Sequence, residues 1–386
     1  MPPLVRLAAA SVLLLGYASA ATLEDTSLKV LTFGPRVTGT PASQQARALL
    51  EREFRSLGYQ TRNEQFTYAK VSDLGSAVRV GGASVPGHAM QGSGSSEVTA
   101  PAVRVPGGGG AEDFAQVDVR GKVAVTQRGQ VQFGDMAREA QARGAVGLII
   151  INQLPGELRG NLGRAVTLPV LGVSQETGAR LTSGTRVTLT VRVQEREVTG
   201  FNLVAFKAGV TRPDLLFGAH LDSVPGAPGA NDNLSGALAV LELARRTAND
   251  PLSARSFFVL FDGEEDGLRG SRAFVKANGP LVAGLRGMLN FDMVGIDARP
   301  LLISGEGKLL DWGRTALGDA VTEGRSNDSD HAAFREAGVS TLMFHRGLDA
   351  NYHRPGDTLL DPALIRATAD AALAIAAQVS VPATAR

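Results

Sequence analysis

From about Thr199 onward, short apolar runs alternate with stretches whose apolar residues recur every three or four positions. The runs Asp214 to Ala219, Ser256 to Phe261, Met288 to Phe291 and Thr341 to Phe344 predict strands buried on both faces. Between the first two, Ala237, Val240, Leu241 and Ala244 fall on one side of a helix predicted from about Leu234 to Arg246. A further helix is predicted from Pro362 to about Val379. Strands alternating with helices give an α/β domain: a mixed, mainly parallel sheet sandwiched between helices. Ligands of such sheets gather outside the carboxyl ends of the strands.

Nearer the N-terminus, Ala46, Leu49, Leu50, Phe54 and Leu57 share one face of a helix predicted from Pro41, a favoured first-turn residue, to Gly58, a favoured terminator. A β segment follows from Gln60 to Tyr68. No sheet precedes this helix to cover its apolar face, so the face is expected to pack on the later α/β core. The Gly- and Ser-rich stretch from about Val80 to Gly110 predicts short strands and loops. Residues 121–152 then alternate strand, helix and strand, with Phe133, Met136, Ala137 and Ala140 on one side of the helix. The Gly121-Lys122 start, the Arg128-Gly129 turn, Phe133, and Ala145 to Gly147 before a hydrophobic strand resemble the protease-associated domain. The resemblance covers roughly residues 80–195 and implies an inserted, β-rich lid or scaffold with no chemistry of its own. The expected organisation is a leader at 1–20, the N-terminal part of the α/β domain at 21–79, the insert at 80–195, and the remainder of the α/β domain at 196–386.

The leader expectation rests on Arg6, the apolar run Leu7 to Leu15, and the small residues Ala18-Ser19-Ala20. This is the pattern of a cleaved secretory signal, and the run is shorter than the roughly 20 residues a membrane span needs. A secreted or periplasmic protein without a stable membrane anchor is expected. With 20% charged residues, 5% aromatic residues and a net charge of +1, the 386-residue chain has no basic excess to attract nucleic acid. The absence of cysteine excludes disulfides and leaves any metal to histidine and carboxylate ligands.

Such ligands cluster where the strands end. GAHLD at 218–222, GEE at 263–265, FDMVG at 291–295 and NYHRPGDT at 351–358 sit at or just after predicted strands, and GANDN at 229–233 lies in the loop before a helix. They bring His220, Asp222, Asp232, Glu264, Glu265, Asp292 and His353 to one edge. So many acids would repel one another unless divalent cations neutralised them. Two imidazoles and three carboxylates suit zinc, with cobalt or manganese as substitutes. Two ions sharing one carboxylate would lie roughly 3.5 to 4 Å apart, each with one histidine and one carboxylate of its own, and could activate one water.

In kind, order and spacing these motifs resemble the co-catalytic di-zinc aminopeptidase family, which also contains glutamate carboxypeptidases and glutaminyl cyclases. The resemblance covers residues 199–386 and, more weakly, 29–68. It implies a zinc exopeptidase fold and two zinc ions per chain: His220 and Asp292 on one, Glu265 and His353 on the other, and Asp232 bridging both. It further implies Glu264 as general base, Asp222 orienting His220, Tyr352 supporting the tetrahedral intermediate, and a cis peptide bond from Asp232 to Asn233. The implied activity is removal of N-terminal residues, apolar and Leu-like, from peptide substrates. The rival readings are a carboxypeptidase or dipeptidase, which would aim Arg346 or Arg354 at a substrate carboxylate, a one-zinc glutaminyl cyclase, and a non-catalytic binding protein. His88, His331 and His345 are expected to be structural, and Asp262, Asp266 and Asp330 to be loop or capping groups.

Overall fold

Successive side chains of the strand Ser256–Phe261 point to opposite faces of its sheet, and both faces are covered. Phe258 and Leu260 join a core with Phe217, Leu289, Phe344 and the helices Pro41–Ser56, Ser235–Thr247 and Pro362–Gln378. Phe257, Val259 and Phe261 join another core with Leu216, Met288, Phe274 and Phe334. Each fully buried side chain of this size contributes roughly 1.5 to 3 kcal/mol over leaving it exposed. The result is a helix–sheet–helix sandwich.

This computed structural model describes residues 21–153, 156–318, 322–323 and 329–379; the expected leader at 1–20 lies outside them. The described chain forms two compact units, residues 21–68 with 198–379, and Ala69–Glu197. It passes from the first unit to the second within the strand Gln60–Asp73 and returns within Val193–Phe206.

The first unit is built on an eight-stranded sheet. Its centre is four parallel strands in the spatial order Ser256–Phe261, Leu215–His220, Gly287–Phe291 and Thr341–His345. Val193–Phe206 and Leu302–Glu306 pair antiparallel on either side of them. Because the four central strands are parallel, their carboxyl ends share one edge. His220 pairs in register with Phe261 there. The helix Pro41–Ser56 lays Leu49, Leu50 and Phe54 into the core of this unit, as its unpartnered apolar face requires. A preceding helix, Leu23–Leu31, has no counterpart among the sequence expectations; its buried face is half polar, with Thr26 and Ser27 beside Leu23 and Val30.

The second unit has its own eight-stranded sheet. Ser96–Arg104, Val123–Gln127, Gly147–Ile151 and Val170–Val173 run parallel, and the helix Phe133–Ala142 buries Met136, Ala137 and Ala140. The nine-residue strand Ser96–Arg104 lies in the stretch expected to hold only short strands. Pro101 within it breaks the pattern of a central strand.

Candidate metal centre

His220 is the last residue of its strand, and its side chain is 1% exposed. Its Nδ1 lies 3.1 Å from the carbonyl oxygen of Asp222. A carbonyl only accepts, so Nδ1 carries a proton; Nε2 faces into the site, where burial opposes but the surrounding carboxylates favour its protonated form, and a metal ion would take the place of that proton. Nε2 faces Asp232 Oδ1 at 3.4 Å, Asp292 Oδ1 at 3.6 Å and Glu264 Oε2 at 3.9 Å. On the other side of Asp232, its Oδ2 lies 3.1 Å from His353 Nε2, which also lies 3.1 Å from Glu265 Oε2. Asp232 therefore offers one oxygen to each histidine.

The loops that deliver these groups are tightly specified. Glu264 and Glu265 donate their backbone amides to Asp222 Oδ1 and Oδ2 at 3.1 and 3.2 Å. The carboxylate of Asp222 also accepts from Thr38 Oγ1 at 3.4 Å and lies 3.6 Å from His220 Nδ1, so it links the paired-glutamate loop to the histidine. Asp232 sits just before the helix Ser235–Thr247, and the Asp232–Asn233 peptide bond is cis. Asn233 ties this turn to the neighbouring strand: its Nδ2 donates to Phe291 O, and its Oδ1 accepts from Gly236 and Met293. Only glycine fits at 236, where a Cβ would lie 2.2 Å from Phe291 O. Met293 and His353 both adopt left-handed φ, at 55° and 56°, which is uncommon for residues with a side chain. Tyr352 stacks on the His353 ring with centroids 3.8 Å apart.

The donor set fits metal ions. Glu265 Oε1 and Asp292 Oδ1 are buried without a hydrogen-bond partner, a costly state for a carboxylate with no cation. Donors about 2.0 to 2.1 Å from one tetrahedral zinc lie roughly 3.3 Å from one another, close to the spacings here. By distance alone, donor atoms of His220, Glu264 and Asp292, and of His220, Asp232 and Glu265, fall within 4.8 Å of one another. That grouping counts Glu264 as a ligand and leaves out His353. The 3.1 Å contacts of His353 to two carboxylates place it more firmly in the donor set than the 3.9 Å approach of Glu264 to His220.

The electrostatics describe the same crowding. Burial, reinforced by Asp330, Asp292 and Glu265 against His220, holds the Glu264 carboxyl well above its usual range. Burial and then Asp232 raise Glu265 to about 7. Burial also acts to raise Asp232, but hydrogen bonds from His220 and His353 outweigh it and hold this carboxylate below its usual range. Burial, followed by the surrounding carboxylates, pushes the Tyr352 hydroxyl up and keeps it protonated.

The remaining candidates are not among these donors, although Asp330 and Asp262 lie close enough to feel the site's charges. His331 is fully buried at the start of the helix His331–Glu336, His345 Nδ1 accepts from the Gly347 amide, and His88 pairs with Glu157 in the second unit. Asp262 accepts from Thr38 Oγ1 and the Phe201 amide, and Asp266 accepts from Tyr68. Asp330 is fully buried. Arg346 is buried and its Nη1 donates to Asp297 Oδ1 at 3.1 Å. Several groups beside the site escaped the sequence reading. Arg36 and Thr38 lie in GPRVTGT, a turn-like stretch, and Asp357 lies in the NYHRPGDT run that supplied His353, where any acid would have been a reasonable candidate.

Residues 202–376 match peptidase family M28, and residues 98–181 match the PA domain. The chain is 31% identical over 354 residues to aminopeptidase YwaD of Bacillus subtilis, with 84% of this chain and 76% of that protein covered. The chain belongs to peptidase family M28. Among solved structures, an aminopeptidase from Aneurinibacillus superposes with a TM-score of 0.81 at 29% identity, covering 93% of each chain. A zinc aminopeptidase from Bacillus subtilis, BSAP, superposes at 0.77 with 27% identity, covering 94% of this chain and 96% of that one. As an M28 member with these relatives, the chain is a metallo-exopeptidase with an inserted PA domain, and the zinc of BSAP agrees with the histidine and carboxylate donors found here.

Proposed function

We propose that this M28 chain is an exported aminopeptidase that uses two zinc ions to hydrolyse the N-terminal, Leu-like residue of peptides. The observation that carries the reading is the split of Asp232, with Oδ1 toward His220 and Oδ2 toward His353. Asp292 would complete the ligands on the His220 side and Glu265 those on the His353 side. When bound, the ions supply Lewis acidity that polarises the scissile carbonyl and makes water more acidic.

The chain's own groups would do the rest. Glu264 takes a proton from the attacking water and passes it to the leaving amine. Asp222 holds the amides of Glu264 and Glu265, so the two neighbouring carboxylates aim at different targets. Tyr352, kept protonated, donates its O–H to the oxygen on which negative charge develops. The relative and the solved structures compared above are aminopeptidases, which supports a substrate with a free N-terminus. The engagement of Arg346 by Asp297 weighs against a carboxypeptidase. Export rests on residues 1–20, and among the described residues no helix is long and apolar enough to cross a membrane.

Cleavage of leucine 4-nitroanilide and of its N-acetylated twin tests the reading. The free-amine substrate should be cleaved at least a hundredfold faster. Equal rates on the two would overturn the aminopeptidase assignment.

A further inference from the structure

The arm that joins His220 to Asp232 is gripped at both ends by groups that do not face the reacting centre. At its start, Arg36 is fully buried and donates through Nε to Leu221 O at 2.7 Å, Nη1 to Pro228 O at 2.5 Å and Nη2 to Gly229 O at 2.8 Å. Its backbone amide donates to Ser223 Oγ, which donates in turn to Ala227 O. One planar guanidinium thus closes residues 221–229 into a loop by three backbone carbonyls, a geometry an ammonium does not reproduce. At its far end, three successive amides converge on Asp357. Asn231 donates to Oδ1 at 2.7 Å, Asp232 to Oδ2 at 3.0 Å, and Ala230 to the backbone carbonyl at 3.1 Å. Asp357 is 3% exposed and follows His353 in the same loop, while Asn231 Nδ2 also reaches Asp349 Oδ2 at 2.7 Å.

We propose that Arg36 and Asp357 are a positioning pair: the cation holds the carbonyls of the 221–229 loop, the anion holds the amides of 230–232, and together they aim the Asp232 carboxylate between the two histidines. Asp357 also locks the segment carrying Tyr352 and His353 to the segment carrying Asp232, so the ligands of both ions move as one body. Burial lowers the Arg36 pKa to about 10 against the pull of Asp222, Asp357, Asp232 and Glu265, which leaves the guanidinium charged at neutral pH among otherwise repelling acids. This inference rests on the reading of Asp232 as the shared ligand.

The test measures zinc stoichiometry and affinity of the full chain by competition with a chromophoric chelator, alongside kcat, KM and the melting temperature. Groups that orient metal ligands are typically worth about 10- to 100-fold in affinity or activity. Asp357→Ala is expected to weaken zinc binding by that factor and to lower kcat with little change in KM. Asp357→Asn keeps one acceptor oxygen and should fall between it and the wild type. Arg36→Lys, which keeps the charge and is the fallback if Arg36→Ala does not fold, should also lose affinity because the three-carbonyl fork is gone. Leu50→Ala in the core of the same unit is the control: it should lower the melting temperature yet bind zinc as the wild type does. Wild-type zinc affinity in folded Asp357→Ala or Arg36→Lys, with two ions in the wild type, would overturn the pair alone. One ion at saturation in the wild type would overturn the shared-ligand reading and the pair with it.

Discussion

In the first unit, four parallel strands run at one edge into His220, Asp262 to Glu265, Asp292 and the loop that carries His353. In the second unit, four parallel strands end at Arg104, Gln127, Ile151 and Val173, and the residues that follow include Asn152 and Ser174. Both sheets present the crevice where α/β proteins place ligands. Among the described residues, both clusters of histidine and carboxylate donors close enough to hold a metal ion lie in the first unit. The scaffold is common to the two; the side chains set just beyond the strands decide whether it performs chemistry.

The sharpest way to break this comparison is to remove the general base without removing the metals. Glu264→Gln should retain its zinc and lose about 100- to 10,000-fold in turnover, the usual worth of positioned acid–base help. Glu265→Gln should instead release or weaken one ion. Zinc content by elemental analysis beside kcat separates the two; exchanged phenotypes would reassign the paired glutamates.

A smaller effect is expected from chelation. Ligand that binds only the folded state stabilises it by about 2.7 kcal/mol at a hundredfold excess over its dissociation constant. That stabilisation belongs to the unit that holds the ions. Removing zinc should therefore speed hydrogen exchange in Leu215–His220 and Gly287–Phe291 and leave Gly147–Ile151 unchanged. Equal loss of protection in both sheets would show that the second unit depends on metal too.

How much of this was legible in the chain follows from what each residue's signal depends on. Ser256–Phe261 was read to the residue because a strand buried on both faces has no polar position to interrupt it. The cluster was legible because His220, Glu264, Glu265 and Asp292 come at or just after apolar runs, with Asp232 and His353 in the loops beyond two of them, and no buried core needs such residues there. Arg36 and Asp357 were not, because their partners are backbone carbonyls and amides that carry no sequence identity. Asp222 was legible as the neighbour of His220, whose Nδ1 its Oδ1 approaches at 3.6 Å, but its hold on the paired-glutamate loop was not, since sequence order cannot reveal that this loop on the neighbouring strand points its amides at it. The helix Leu23–Leu31 went unread for a related reason: Thr26 and Ser27 are buried, so the apolar stripe that marks a helix is broken.

The smallest expected effect lies in the second unit. Gln127 ends its strand, is exposed, and lines a cleft of about 320 Å³ with Arg104, Asn152 and Gln175. This cleft holds neutral amides and one guanidinium whose Nε and Nη2 already donate to Leu181 O and Gly178 O. None of the lining side chains supplies a carboxylate or imidazole to bind zinc or move a proton. Exposed substitutions away from such features usually change stability by no more than about 0.5 kcal/mol. Gln127→Ala should thus leave zinc content unchanged and kcat/KM on leucine 4-nitroanilide within about twofold of wild type. A tenfold loss with both ions retained would mean that the carboxyl edge of the second sheet takes part in turnover, and the contrast between a chemical sheet and a scaffold sheet would no longer hold.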